Sequence, residues 1–350
     1  MRERVRSIQG LRALAATLVL FCHAPHNLWF FRLGYSGVDL FFVVSGFIMV
    51  VSTGNHTGPR AFKLFLINRF ARIWPVYAAT SVAMAIAFCI IGTVAPQDVA
   101  ARLMNDLTFQ PAWNNPPINA PGWSLTFEVF FYALFAFSLL FGRWRYPLLL
   151  GTMGTFLLLG GQSARTDGLW GYVALATNPV CGCFIAGVLA GLVYRSKWRG
   201  PPRPLAACLL AAFAVLTGYL LFFSIREFNH GLVWAAAFGG IVMSVALMEK
   251  RAPVWVPNSL VSVGNASFSL YISQWLVVVP FAVYAPPVEG TLQILMLACA
   301  FLLTIAAISA VTYRLLETDL SLWTRTRLHR FFQSADREPA EIAASSVPAQ

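Results

Sequence analysis

The chain has 350 residues, of which 58% are hydrophobic and only 11% are charged. An ordinary soluble domain has roughly 45–50% apolar residues, so this composition excludes a water-soluble globule and favours a chain with long segments in lipid. The formal net charge of +11 comes from few acids and from short arginine clusters beside apolar runs, which is typical of membrane topology and contact with lipid headgroups, and we expect no nucleic-acid partner.

Ten apolar runs are candidate membrane spans, since a helix that crosses the hydrocarbon takes about 20 residues, with a range of roughly 17–25. In chain order they cover 8–24, 36–53, 71–92, 122–141, 146–161, 171–193, 204–224, 231–247, 266–284 and 291–313. The sequence therefore predicts an all-α polytopic membrane protein. It has one membrane domain over 1–331 and a disordered tail over 332–350, which is rich in Ala, Ser, Pro and Glu without periodicity.

The basic residues fall on alternate loops between these spans. One set of loops carries twenty lysines and arginines and the other set only four, with Arg12 left inside the first span. Cytoplasmic loops carry such an excess, and the alternation survives only if the number of spans between loops is right. The pattern predicts that both termini are cytoplasmic.

The first span contains two ionisable residues, Arg12 and His23. An ionisable group near the middle of a membrane costs on the order of 3 kcal/mol, so each needs a partner or a function. The two positions are about three helical turns apart, which places them on one helix face and roughly 16 Å apart along the axis. A snorkelling arginine and an interfacial histidine are the alternative, but the shared face favours a site.

The second span opens with Asp39, at a depth comparable to that of His23. A carboxylate beside an imidazole can fix its tautomer and raise its basicity, whereas the alternative for Asp39 is a plain helix-start residue. Further along the same span, Ser45 and Gly46 are interpreted as a close-packing position rather than a reactive one.

The fourth span carries Glu128 about 9 Å below its outer end, on the same helix face as Ser124 and Tyr132. A lone carboxylate at that depth must pair with a cation or be held protonated. Arg12, His23 and Tyr132 are the candidate partners.

Arg69 and Arg72 lie at the start of the third span, at positions i and i+3, and therefore side by side on one helix face at the cytoplasmic boundary. Ordinary topogenic charges would have the same appearance. Two fixed guanidinium groups, with Pro75 bending the helix just inside, also suit a bidentate grip on a phosphate group.

The ninth span contains a polar stretch that ends in Tyr271 and Gln274. Because Gln274 is uncharged, hydrogen bonding between helices is the favoured interpretation. The six cysteines all lie in apolar stretches and show no C-x-x-C spacing. They predict neither a disulfide framework nor a metal site.

Four segments resemble, in this order, the signature series of the membrane-bound acyltransferase 3 family: SIQGLRALAATLVLFCHA, SGVDLFFVVSGF, NRFARIWPVY and GWSLTFEVFFYALF. The resemblance covers residues 7 to about 320. It implies about ten spans and the transfer of an acyl group, commonly acetyl, from cytoplasmic acyl-CoA. The acceptor it implies lies across the membrane and is usually a sugar hydroxyl of a surface polysaccharide or of a lipid-linked glycan.

The resemblance and the depths of the residues together predict three groups of site residues. They are His23, Asp39 and Glu128 for catalysis; Arg12, Arg69, Arg72 and Tyr77 for donor binding; and Trp123, Ser124, Tyr132, Tyr271 and Gln274 on the acceptor side or in support. The chain departs from the family at Gln274, where many members have His, and at Glu317-Thr318-Asp319, where many have Glu-x-Pro.

The predicted function is that of an acyltransferase in the bacterial cytoplasmic (inner) membrane, with His23 as general base for the acceptor hydroxyl. Acyl-CoA is expected as a co-substrate, without a metal or a tightly bound cofactor, and membrane lipids and a glycan are the expected partners. The alternative is a transporter or flippase whose buried charges form a substrate or proton pathway. The lack of an obvious repeat and the one-sided arginine cluster count against it.

Overall fold

The computed structural model describes residues 5–23, 34–111, 116–160, 168–223, 231–286 and 290–332. Within these ranges the regular structure is helical and no strand occurs. The α-helices are α1 Arg6–Cys22, α2 Ser36–Thr53, α3 Pro59–Ile91, α4 Pro96–Thr108, α5 Gly122–Ser138, α6 Arg145–Leu159, α7 Gly168–Ala176, α8 Cys181–Arg195, α9 Arg203–Phe223, α10 Leu232–Arg251, α11 Asn258–Asn265, α12 Ser267–Ser273, α13 Trp275–Tyr284 and α14 Thr291–Val311. A 3-10 segment, Leu139–Trp144, follows α5, and a π-helical segment, Thr312–Leu320, follows α14.

In the described ranges, seven helical runs are long and apolar enough to cross a membrane. They are Ser36–Thr53, Pro59–Ile91, Gly122–Leu159, Arg203–Phe222, Leu232–Arg251, Ser267–Tyr284 and Thr291–Phe332. An eighth is added if α7 and α8, which meet at a bend of 44°, are one span. The prediction of an all-α multi-pass membrane protein is confirmed, whereas the count of ten and the orientation stay predictions.

The helices differ from the predicted elements at the start of α3 and in the segment 93–121. α3 begins at Pro59, well before the predicted start at 71, so Arg69 and Arg72 lie inside a continuous helix. The segment 93–121, predicted as an irregular outer loop, contains helix α4, and its residues 112–115 lie outside the described residues. The predicted tail over 332–350 also lies outside the described residues, except for Phe332, which ends the helical run Thr291–Phe332.

The central helix is α2, which packs against α1, α5, α8 and α10. Its closest contact is with α8, and glycines make this approach possible. A Cβ atom on Gly187 would lie 2.0 Å from the carbonyl oxygen of Val43, and one on Gly46 would lie 2.4 Å from that of Phe184. Small residues at such crossings let the backbones touch, which is a main source of helix association in lipid. The α2–α8 contact therefore fixes how α2 is rotated.

We expect Gly187→Val to destabilise the protein strongly, because the new side chain would overlap the backbone of α2. Overpacking costs about 1–3 kcal/mol or more, and here the obstacle is backbone that cannot rotate away. The matched control is Gly154→Val in α6, where a Cβ atom meets nothing within 4 Å. Thermal denaturation of the two detergent-solubilised variants measures the difference. Equal losses in both would contradict the proposed packing role.

Candidate active site between the central helices

A cavity of about 80 Å³, called the narrow cavity below, lies between α1, α2, α3, α5 and α12. Its wall is apolar along α2, where Phe41 and Phe42 contribute, and charged where the other helices approach. The charged and hydroxyl-bearing residues of the wall are Arg12, Ser45, Arg69, Arg72, Ser124, Glu128, Tyr132 and Tyr271. This arrangement places ionisable groups from four separate helices in a space otherwise lined by hydrocarbon.

Glu128 is held by a hydroxyl cluster. Its Oε1 atom accepts a hydrogen bond from Ser45 Oγ at 2.8 Å and a second from the Tyr132 hydroxyl, and Ser45 Oγ lies 3.2 Å from that hydroxyl. Tyr132 follows Glu128 by one helical turn, so the helix itself brings the two together. Of the three candidate partners of Glu128, Tyr132 is the one that forms a hydrogen bond with it among the described contacts. Both hydroxyl groups donate to the same oxygen, Oε1.

A second cavity of about 570 Å³, called the wide cavity below, adjoins the first. The two share Arg12, Ile48, Arg69 and Arg72 in their walls. The wide cavity lies at the end of the bundle where α1 begins and α2 ends, and it also includes Arg325. The three shared guanidinium groups thus stand at the passage between a wide polar space and a narrow one.

The arginines at the passage are already engaged. Arg72 Nη2 lies 3.7 Å from Glu317 Oε1, and the other carboxylate oxygen of Glu317 accepts hydrogen bonds from Ser269 N at 3.2 Å and from Ser269 Oγ at 2.6 Å. Arg69 lies over the ring of Tyr132, with its Cζ atom 5.5 Å from the centroid, and Arg12 donates to Gln9 Oε1 at 3.3 Å. Cation–π contact and ion pairing both keep a guanidinium charged in an apolar surrounding.

His23 lies directly after the last residue of α1, at the end opposite to the wide cavity. Its ring packs edge-on against Trp275, with centroids 5.0 Å apart, and Nδ1 lies 2.9 Å from the Val19 carbonyl oxygen. The described linings of the two cavities do not include His23. Tyr271, one helical turn before Trp275, does line the narrow cavity. His23 is therefore a neighbour of the narrow cavity rather than part of its wall.

Two further predicted site residues, Asp39 and Tyr77, lie in contacts outside the described cavity linings. Asp39 is buried in the first turn of α2 and accepts a weak hydrogen bond from Cys183 Sγ of α8, at 3.7 Å. Tyr77 stacks on Phe109 with ring centroids 5.4 Å apart, and its hydroxyl is so close to Gly122 that no side chain would fit there. Their catalytic and donor-binding roles stay predictions.

Two of the five residues predicted for the acceptor side, Ser124 and Tyr271, meet between α5 and α12. Ser124 Oγ and the Tyr271 hydroxyl are 2.7 Å apart, and both line the narrow cavity. Trp123 packs edge-on against Phe127. Gln274 is only 1% exposed, and its amide donates to the Tyr271 carbonyl oxygen at 2.9 Å, within its own segment. Its predicted hydrogen bond to another helix is not among the contacts of the described residues.

Two residues of the site were not predicted. Ser45 was assigned to packing together with Gly46, but only Gly46 packs closely, against α8. Adjacent helical residues point about 100° apart, so Ser45 faces Glu128 instead. Glu317 lies in the π-helical segment, whose wider turn is common at functional sites. The family motif has a Glu at the position of Glu317, so the sequence could have identified this residue as part of the site. It could not identify the partner, because Arg72 is distant in sequence.

The segment just before α5 is held in place by a buried carboxylate outside the spanning helices. Asp106 of α4, 2% exposed, accepts hydrogen bonds from the backbone N–H groups of Ile118 at 3.2 Å and Asn119 at 3.0 Å. Asn119 Nδ2 in turn donates to Thr80 Oγ1 and to the Ile272 carbonyl oxygen. Burial raises the pKa of the Asp106 carboxyl to about 6, against the opposite effect of the backbone N–H groups. Asp106 thus ties the segment before α5 to α4, and Asn119 of that segment ties it to α3 and α12.

The fold and the cavities define a class: a multi-pass membrane protein whose central helices enclose a passage lined by arginine, carboxylate and hydroxyl groups. Residues 5–313 match the family model described as an acyltransferase domain, Acyl_transf_3. The chain belongs to this acyltransferase family, which confirms the resemblance found in its four motifs, and it is a membrane acyltransferase. Membership favours an enzyme over a transporter or flippase.

Two relatives illustrate the similarity. The exopolysaccharide production protein ExoZ of Rhizobium meliloti (strain 1021) is 32% identical over 268 residues, which cover 73% of this chain and 80% of that protein. The acyltransferase MdmB of Streptomyces mycarofaciens is 30% identical over 151 residues, which cover 38% of each chain. No solved structure matches the chain.

We expect the stability advantage of wild type over Asp106→Asn to shrink as the pH rises from about 4 to 7. The carboxyl has a pKa of about 6 when folded and about 3.9 when unfolded, so the folded state binds the proton more tightly. Its contribution to stability is complete below the unfolded pKa and is lost as the pH rises through the folded pKa. Melting temperatures of both proteins across this range test the sign.

Asp98→Asn is the matched control for that comparison, because Asp98 is an exposed carboxylate on the same helix. A gap between wild type and Asp106→Asn that widened with rising pH would contradict the burial of a protonated carboxyl.

Proposed function

We propose that this protein transfers an acyl group, acetyl in the first instance, from acyl-CoA on the cytoplasmic side to a hydroxyl of an extracytoplasmic glycan or lipid-linked sugar. Acyl-CoA is a co-substrate that binds and leaves in each cycle. The protein acts in the bacterial cytoplasmic (inner) membrane, and His23 is the general base that takes the proton of the acceptor hydroxyl.

The observation that carries this proposal is the pair of adjoining cavities with three arginines at their junction. An acyl-CoA has a bulky head with several phosphate groups and a long thin arm that ends in a thioester. The wide cavity suits the head, because guanidinium groups bind phosphate oxygens in a bidentate manner. The narrow cavity suits the arm and leads toward Glu128. The alternation of basic loops supports a cytoplasmic location for the wide cavity.

The acceptor side is proposed from the opposite end of the bundle. His23, Trp275 and the start of α5 lie there, on the side that the basic-loop pattern predicts to face outward. ExoZ is named for exopolysaccharide production, which supports a polysaccharide or its lipid-linked precursor as acceptor class. A histidine at this end can meet a sugar hydroxyl from outside while the acyl group arrives from within.

We expect Arg72→Ala to weaken the binding of acetyl-CoA by roughly 10- to 100-fold, because a hydrogen bond to a charged group contributes about 1.5–3 kcal/mol. The matched control is Arg60→Ala, an exposed arginine on the same helix and outside both cavity linings. Isothermal titration calorimetry in detergent measures both affinities. If the two variants bind acetyl-CoA equally well, Arg72 is a topogenic charge and the donor site lies elsewhere.

We expect His23→Ala to lower acyl transfer by about 100- to 10 000-fold, since a general base contributes that much, while acetyl-CoA still binds. The measurement is the acyl content of surface glycans, by mass spectrometry, in a deletion strain complemented with each variant. His56→Ala, which removes an exposed imidazole, is the control. Glycan acylation near the wild-type level with His23→Ala would sink the assignment and make Glu128 the leading candidate.

A further inference from the structure

We propose that Ser45 is a nucleophile that carries the acyl group as an ester in the middle of the membrane, with Glu128 as its base. Tyr132 is the residue that orients Glu128. This inference rests on the acyl-CoA-dependent transfer proposed above and deepens it, because it divides the transfer into two half-reactions.

The geometry matches what an activated serine requires. A nucleophile must lie within hydrogen-bond reach of a base, and the base must be oriented by a third group. Ser45 Oγ donates to Glu128 Oε1 at 2.8 Å, and the Tyr132 hydroxyl donates to the same oxygen. This cluster combines one turn of α2, which carries Ser45, with two adjacent turns of α5, which carry Glu128 and Tyr132. A packing serine in a spanning helix satisfies its hydroxyl at the carbonyl of the preceding turn, as Ser138 does with Phe135.

The position of Ser45 along α2 is suited to a relay. α2 has 18 residues and is therefore about 27 Å long, and Ser45 lies about 14 Å from the residue at which it begins. It is thus midway between the two ends of the helix. An acyl group held there has left the wide cavity but has not yet reached the end of the bundle that carries His23.

The surroundings of Ser45 can stabilise the transition state and protect the ester. Arg12, Arg69 and Arg72 line the same cavity, so positive charge is available where the thioester carbonyl oxygen becomes an oxyanion. Phe41 and Phe42 form the apolar wall next to Ser45, and an apolar wall keeps water away from an ester. The same cavity therefore provides a nucleophile, a base, a cationic field and a largely apolar lining.

The chemistry balances in two steps. In the first, Ser45 Oγ attacks the thioester carbonyl carbon and its proton passes to Glu128; the C–S bond breaks and CoA leaves as the thiolate through the wide cavity. In the second, the acceptor hydroxyl attacks the Ser45 ester, and its proton passes along the Ser124 and Tyr271 hydroxyls of the cavity wall toward His23, which lies too far from Ser45 to take it directly; the Ser45 oxygen recovers the proton held by Glu128. His23 then releases its proton to the outer side.

The test uses purified full-length protein in detergent with [14C]acetyl-CoA and no acceptor, followed by an acid quench. We expect wild type to accumulate label on the peptide that contains Ser45, at up to one acetyl group per chain, and Ser45→Ala to accumulate none. The matched control is Ser138→Ala, which removes a buried serine hydroxyl of α5 that lines neither cavity and is expected to label like wild type. The label on wild type is expected to survive treatment with neutral hydroxylamine, because an acetyl-serine ester resists that reagent.

Ser45→Cys provides the second variant, because a thioester at the same position would be cleaved by neutral hydroxylamine. Wild-type glycan acylation with Ser45→Ala, or label that persists on another residue of that variant, would overturn the relay while leaving the acyl-CoA-dependent transfer in place. If wild type neither binds acetyl-CoA nor acylates glycans, the proposed function itself fails. The melting temperature and acetyl-CoA affinity of Ser45→Ala show whether a lost label reflects lost chemistry or a lost fold.

Discussion

The arrangement of the central helices depends on the need to satisfy one carboxylate, that of Glu128, in a largely apolar interior. A charged group there is tolerated only with hydrogen-bond donors and nearby opposite charge. No single helix supplies all of these. α5 provides Tyr132, α2 provides Ser45, and α1 and α3 provide the guanidinium groups that line the same cavity. The carboxylate is thus a centre toward which four helices must turn their polar residues.

The packing of α2 against α8 connects this polar centre to the rest of the fold. Gly46 and Gly187 let the two backbones touch, and that contact permits little rotation of α2 about its axis. Since Ser45 is the residue before Gly46, the rotation that buries Gly46 against α8 directs Ser45 to the other side, toward α5. Close packing on one face of a helix therefore sets the hydrogen bond on another. A cavity that binds a substrate needs such rigid support.

The sequence predicted contacts that a single helix creates and missed those that need two distant segments. Glu128 and Tyr132 are one turn apart, so helical periodicity alone places them together. Ser45 meets Glu128 across 83 residues of chain, and nothing in the local pattern of α2 distinguishes it from a packing serine. Glu317 depends on a π-helical turn, which has no simple sequence pattern. The helical class followed from hydropathy. The early start of α3 and the bend between α7 and α8 each coincide with a proline, Pro59 and Pro179, which a hydropathy pattern does not detect.

Three arginines stand at the passage between the two cavities, and the ion pair that Arg72 forms there with Glu317 is weak. Glu317 is 3.7 Å from Arg72, and the side chain of Arg72 is 38% exposed, so this ion pair contributes at most about 1 kcal/mol. Several phosphate oxygens that arrive together can displace such a partner, because each forms a charge-assisted hydrogen bond. Glu317 retains its bonds from Ser269 when Arg72 turns away, so its charge is not left without donors. Under the proposed function, the resting pair holds the guanidinium group between turnovers and leaves it available to an anionic donor at the junction of the two cavities.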